Sequence, residues 1–445
     1  MAREVSLYLV ITLLRRGEAV TCSRRVTDGV AMLVVLLLLV PATSGAADLN
    51  ISSDTVVRML ERDDSNGKQH SLLPAYEFLQ LDYGHIKTAG LSVHAYGWGR
   101  VNLRDNYTTN TTAGELLYAY IDYLEPTNRD VQLRFGRQYI FEGVTRESVD
   151  GIYVKAGLFP TVTASAYAGF PVNLEDVNGR SGDWIYGARV AQGIPGRYDV
   201  ALAYKNSGNN GSTDEQLLGA DATLLLPASI SALGHTTYNL GTGGWGEQSY
   251  ELRLPYKAIE LRPFYQHYRL DNFLNSKTGG SAPFRFMSKY GQKIDILGTE
   301  AFWYPNEHIE FAARYKHYEY DKRYGSSDMY TVLASVRHKV LSEVGVEFGR
   351  MEGDIAENRY YLGRAYCYWN IDPGFVTADV VYVDYDDGDV WSMYGKDSAF
   401  FASVGVGRKF LDNALNVKLS VDYSQDPYFD KNYTGMFKAS YTFER

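Results

Sequence analysis

Charged side chains recur at alternate positions along several segments of this chain. Glu251 and Arg253 stand two residues apart, and so do Glu260 and Arg262. Arg134, Arg314 and Arg364 occupy similar places, each between uncharged neighbours. Residues i and i+2 of a β-strand share one face, so this spacing builds charged rows on one side of a sheet. The chemistry such rows offer is electrostatic. These seven residues are the candidate lining of a polar interior, with further bases at Arg100, Lys155, Lys205, Lys316, Lys418 and Lys438, and acids at Asp122, Asp199, Asp221, Glu310, Glu347, Asp379 and Asp422. Glu251/Arg253 and Glu260/Arg262 fall on the two strands of one expected hairpin, where a ladder of facing opposite charges is predicted. Two readings of these rows stay open. One is a selectivity constriction or a surface that grips a partner inside. The other is ordinary packing of a wet wall, in which alternating signs neutralise each other.

Other apparent motifs lead to no reaction. Gly241-Thr-Gly243-Gly244-Trp-Gly246 has the spacing of a dinucleotide-binding turn, but no helical pattern follows it, so it reads as a loop between strands. Asp384-Tyr-Asp386-Asp387-Gly388-Asp389 suggests calcium; its Gly is at the fifth position rather than the sixth, and Gly395 stands at the twelfth, where a bidentate Glu belongs. Asn106-Tyr-Thr and Asn110-Thr-Thr match glycosylation sequons through composition alone. The eight His show no ligand spacing, and Gly-x-Ser-x-Gly and Cys-x-x-Cys-His are absent. No catalytic group, cofactor site or metal site is expected, and the chain is not read as an enzyme.

The elements that position these rows are strands. At the C-terminus Phe437, Ala439, Tyr441 and Phe443 alternate with Lys438, Ser440, Thr442 and Glu444. A period of two with one apolar and one polar row is a strand with different solvents on its two faces. Twenty-two such segments can be traced, with 20 as the runner-up count. The weakest is the first, Ser53–Glu61. Val131–Phe141 is followed by Ile152–Leu158, Tyr198–Lys205 by Gln216–Leu226, and Ile230–Leu240 by Ser249–Leu254. Short turns rich in Pro, Asn and Asp, such as Phe159-Pro160-Thr161, Pro305-Asn306-Glu307 and Asp412-Asn413, alternate with longer polar connections. The longest is Asp271–Tyr290, and an acidic one runs from Asp384 to Lys396.

The N-terminal region has a different character. Arg24 and Arg25 precede the apolar run Ala31–Val40, and Pro41 and Ala42-Thr43-Ser44-Gly45-Ala46-Ala47 follow it. Charged region, short apolar core and small-residue site are the order of a signal peptide. Ten apolar residues are too few to cross about 30 Å of hydrocarbon. Residues 1–47 are therefore assigned to the signal, including an N-terminal overrun, and 48–445 to a single barrel domain. Removing the five arginines and three acids of residues 1–47 takes the net charge from −9 to −11, which argues against a nucleic-acid partner. Cys22 goes with the signal and leaves Cys367 without an intrachain disulfide partner. Tyrosine, at 37 residues, is the compositional outlier. Its apolar body and wet tip suit a membrane interface. No apolar run of eighteen residues follows residue 47, which excludes a helical membrane protein but not a barrel.

The aromatic-rich last strand resembles the closing strand of a Gram-negative outer-membrane barrel of the porin type, except that Glu444 and Arg445 follow Phe443. The resemblance implies an all-β fold: a single transmembrane antiparallel β-barrel of about 22 strands, with short periplasmic turns, long extracellular loops and outer-membrane lipid around it. A Lys or Arg on the lipid side of such a barrel costs about 2–4 kcal/mol near midplane, so the charged rows are expected to face inward. The implied function is passive passage of small polar solutes or ions. Barrels of 22 strands usually carry a plug, and only a few residues separate residue 47 from the first strand. The lumen is therefore expected to be narrowed by long loops, chiefly Asp271–Tyr290, or filled by a partner. The stretch from Leu133 through Arg134-Phe135-Gly136-Arg137-Gln138 to Val144, continuing at Asp150-Gly151-Ile152-Tyr153, looks like barrels of metal-reducing bacteria. Some of those sheath multihaem c-type cytochromes, so an electron-conduit sleeve is the alternative. Porins are often homo-oligomers; no trimer-contact signature is visible.

Overall fold

The computed structural model describes residues 48–445 except 64–68, 87–89, 105–111, 126–130, 173–180, 274–291, 322–323, 339–341, 387–394 and 428–430. The signal segment, both sequons and most of the two long connections lie outside the described residues.

The two-residue alternation becomes a closed antiparallel barrel of 22 strands. Each strand pairs with its neighbours in the chain, and the first strand closes the sheet. Asp48–Asp63 runs against the last strand from Asn50↔Glu444 to Leu60↔Thr434. Its other edge runs against Pro74–Gly84, from Asp48↔Gly84 to Val57↔Ala75. Gln69–Leu72 pairs along the same edge and is separated from Pro74–Gly84 by Leu73 alone, so the two pieces make one barrel strand. The segment that looked weakest in sequence is thus a 16-residue strand that carries the closure. Closure removes the free edges that an open sheet would leave.

Among the described residues, one end of the barrel carries tight turns. Asn306 accepts the backbone N–H groups of His308 (2.9 Å) and Ile309 (3.1 Å) through its side-chain oxygen. Leu411, Asp412 and Asn413 all take positive φ in the turn before Leu415–Gln425. The other end departs from the predicted length asymmetry at three places. Val131–Glu142 meets Thr145–Phe159, Tyr198–Asn209 meets Ser212–Leu225, and Ser231–Asn239 meets Gly244–Tyr256, each after a short turn. Polar residues that looked like loop are strand residues here, because their side chains are buried against protein.

The apolar row is exposed on the outside, as at Phe135, Leu202, Leu297, Phe348, Leu419 and Val421. The polar row makes contacts such as Glu147 with Lys205 and Glu142 with Arg189, between strands that are not neighbours, which places that row inside.

Candidate functional site: a flap folded into the barrel

All seven predicted lining residues stand on the inward row. The Arg134 Nε donates to Asp122 at 3.2 Å, and its guanidinium lies over the rings of Tyr120 and Tyr153 at 5.6 and 5.3 Å. Arg314 reaches Glu347 at 3.1 Å and Glu300 at 3.7 Å. Arg364 forks onto Asp379 with bonds of 3.0 and 2.7 Å and covers Tyr366. The predicted ladder of facing charges does not form. Leu254 pairs with Leu261 and Glu251 with Phe264, so neither acid faces an arginine across the hairpin. Instead Arg253 donates to Glu251 and Arg262 to Glu260, each along its own strand. Same-face residues two apart are within reach of a long side chain, and this register offers the acids nothing closer. Arg262 also lies 4.4 Å over Phe302. These pairs are half exposed, and such pairs contribute about 0–1 kcal/mol.

The strand that carries Arg134 also holds a feature that the sequence reading missed. Gly136 pairs with Gly151, and Gly151 pairs with Gly169, so three adjacent strands carry glycine at one level. A Cβ at any of the three would collide with a backbone carbonyl oxygen, of Ala119, Ala168 or Asp150 respectively, and Gly136 has φ +126°. Only glycine allows this approach. Beyond this line the strands leave the wall. Val131–Glu142 stays paired to Thr112–Leu124 only as far as Ala119↔Arg137. Val162–Pro171 stays paired to Asp183–Ile194 only as far as Gly169↔Ile185. Between them the hairpin continues from Arg137↔Asp150 to Glu142↔Thr145. Residues 137–150, with Phe170 and Pro171 alongside, form a flap bent into the barrel.

The flap lies on a stretch of wall prepared for it. The inward rows beneath are small: Gly187 and Ala191, Ala201 and Ala203, Ser207 and Gly219. Ile140, Val149, Tyr153, Tyr167 and Ile185 form one buried cluster, and Val144, Ala203 and Leu217 a second. Each aliphatic side chain fully buried in this way contributes about 1.5–3 kcal/mol. Ion pairs fix the position. The Lys205 ammonium is held between the Glu147 and Glu215 carboxylates, with all three residues 2–4% exposed. Arg189 donates to Asp221 at 2.7 Å and comes within 3.9 Å of Glu142 at the flap tip. Tyr153 donates to Glu142 at 2.5 Å, and Thr145 bonds Tyr167. At the tip Arg146 reaches farther round the wall, to Glu247 at 3.7 Å and His235 at 3.4 Å. Two carboxylates around one ammonium satisfy a charge that would be costly to bury alone.

The arrangement can narrow a wet passage without a separate plug domain. Of the predicted constriction at Asp271–Tyr290, only the root is described. Leu270–Phe273 is a short helical turn, tied down where Asn272 donates to the Trp245 carbonyl at 2.8 Å and accepts from Asn239 through its own carbonyl at 3.0 Å. The glycine-rich turn at Gly241–Gly246 leads into the strand Gly244–Tyr256, not a helix. From the acidic connection, Asp386 is bound by Arg350 at 2.8 and 2.6 Å.

No family model and no curated protein matches the chain. Among solved structures it is similar to the Acinetobacter baumannii protein OccAB4 (8% identity, TM-score 0.45, covering 91% of this chain and 100% of that one). It is similar to Pseudomonas aeruginosa OpdQ (12%, 0.43, 89% and 97%) and to the translocation pore of the P pilus usher PapC (12%, 0.46, 89% and 99%).

Proposed function

We propose that this chain is a channel of a bacterial outer membrane, passing small polar solutes or ions through a lumen that its own flap narrows. The apolar outer row supports the membrane setting, since an antiparallel barrel with an apolar exterior pairs the backbone groups of adjoining strands with one another in hydrocarbon. No helix among the described residues is long and apolar enough to cross a membrane. The half-exposed charges of the interior support a water-filled lumen. Arg253 and Arg364 keep 45 and 41% of their side-chain surface open. The observation that carries the reading is the flap, anchored at Lys205 where a large barrel needs a plug or a loop to narrow it.

In this reading residues 1–47 are the export signal, the seven predicted charges line the passage, and lipid surrounds the apolar row. Mixed signs along the passage favour polar solutes of either charge over a strong ionic preference. The cytochrome-sleeve alternative draws no support from the described residues, and the flap occupies interior space that an enclosed protein would need. Purified barrel added to a planar bilayer without partner proteins tests the proposal. Stable, uniform conductance steps are expected. A protein that inserts but passes no current, or conducts only with a haem protein present, would overturn it.

A further inference from the structure

Bending the flap inward leaves a recess in the outer wall. Among the described residues, positions 112–118 have a partner strand on one side only, because pairing to Val131–Glu142 stops at Ala119. At about 3.3 Å per residue, this edge is roughly 23 Å long. A side chain stands in for the missing strand at one point: Arg137 Nη1 donates to the Leu116 carbonyl at 3.0 Å. The same guanidinium forks onto Asp150 with bonds of 2.8 and 2.7 Å, which neutralises both charges.

The side of the flap facing this recess is aromatic. Tyr139, Phe141 and Phe170 are 51, 69 and 63% exposed. Just across the glycine line the same side continues into Phe135 and Ile152, which belong to the apolar outer wall. The wetted interior, by contrast, presents Arg253 and Arg364. Phe170 and Tyr139 thus adjoin the outer apolar surface across a neutralised ion pair, whereas Phe141 at the tip lies under the Arg146 guanidinium at 5.9 Å, on the lumen side.

We propose that this recess takes up an acyl chain of the surrounding membrane lipid, lying against Phe170 and Tyr139 beside the open edge of Thr112–Leu124. The proposal rests on the membrane reading above. Acyl chain against aromatic ring removes apolar surface from water on both sides. The Arg137–Asp150 pair is tolerated at the base because each charge is fully engaged. The flap then has lipid against the Phe170 and Tyr139 side and the inner wall against the other, so membrane lipid bears directly on the element that narrows the passage.

Spin labels test this in vesicles of dioleoylphosphatidylcholine. Cys367→Ser removes the native thiol, and labels are placed through Phe170→Cys and Tyr139→Cys, with Leu419→Cys as the outer-wall control and Arg364→Cys as the lumen control. Power saturation compares access of oxygen, which concentrates in lipid, with access of a nickel chelate, which stays in water. The expected result is oxygen-dominated relaxation at Phe170→Cys, Tyr139→Cys and Leu419→Cys, and nickel-dominated relaxation at Arg364→Cys. Nickel-dominated labels at both recess positions would overturn the proposal. So would labels shielded from both reagents, as a second copy of the chain seated on the edge would produce. If Leu419→Cys itself were nickel-dominated, the membrane reading would fail; if only the recess labels were, the lipid site alone would fail. Should Phe170→Cys disturb the bend, Tyr139→Cys carries the same comparison.

Discussion

Under the flap, Lys205 and Glu215 are each 2% exposed, whereas Arg253 and Arg364, outside its cover, keep 45 and 41% of their side chains in the open. Both pairs stand on inward rows of strands with the same alternation. Beneath the flap the charges are joined across strands that are not neighbours, and small residues leave room for a second layer. Away from the flap they are joined along one strand or to a nearby one, and among the described residues they stay partly open. Identical patterning therefore has two energetic meanings. A covered charge must be matched or the structure loosens, while an open one is already solvated and its partner adds little.

The largest expected effect breaks the covered side. Lys205→Met leaves Glu147 and Glu215 buried together without a counter-ion, and loss of one partner of a buried ion pair costs roughly 3–5 kcal/mol. Urea unfolding in detergent should register that loss, and the bilayer steps should grow as the flap loosens. Adding Glu147→Gln and Glu215→Gln to the same chain should recover most of the stability, because the uncompensated charges are gone. A triple variant as weak as the single one would mean that packing, not charge, holds the flap.

Next in size is Gly151→Val, which places a side chain where the Ala168 carbonyl lies. Overpacking of this kind costs about 1–3 kcal/mol. Larger conductance is expected, since the bend can no longer close. Outside the flap's cover, Arg253→Gln and Arg364→Gln should each change unfolding by less than about 1 kcal/mol, with a shift in reversal potential toward cations in a salt gradient. A loss there as large as that of Lys205→Met would erase the contrast between the two walls.

The smallest effect lies at the outer rim. Arg350 binds Asp386 and holds its carboxyl below the usual carboxylate range, while lying 4.0 Å over Tyr361. A lowered folded-state pKa adds stability that is present above the unfolded value of about 4 and is lost as pH falls through the folded one. Asp386→Asn should flatten that acid-side slope and leave the flap-dependent conductance unchanged.

The barrel was legible because its cause is local. Rows such as Leu415, Val417, Leu419 and Val421 against Lys418 and Asp422 need only a period of two, and a closed sheet follows from 22 of them. The inward placement of Arg134, Arg314 and Arg364 was legible for the same reason. The flap was not. Its residues Glu142 to Gly151 fall between two segments read as Val131–Phe141 and Ile152–Leu158, and their charges look like a solvated loop. Glu147 meets Lys205 at a separation of 58 residues, which no local pattern encodes. Gly136, Gly151 and Gly169 form a line only once the register Gly136↔Gly151↔Gly169 is known. The one available signal was alternation through the gap, where Thr145, Glu147, Val149, Gly151 and Tyr153 interleave with Arg146, Ser148, Asp150 and Ile152. The facing-charge ladder failed for a related reason: register across a hairpin depends on the turn, and the sequence shows only which residues share a strand face.

The central claim is that the flap sets the width of a water-filled passage. Single-channel conductance in planar bilayers, compared between the intact chain and a variant in which residues 138–148 are replaced by a two-residue Asn-Gly turn, tests it most directly. Uniform steps from the intact chain and clearly larger steps from the shortened one are predicted. Steps of the same size from both would contradict the flap's role, and an intact chain that inserts without conducting would contradict the channel itself.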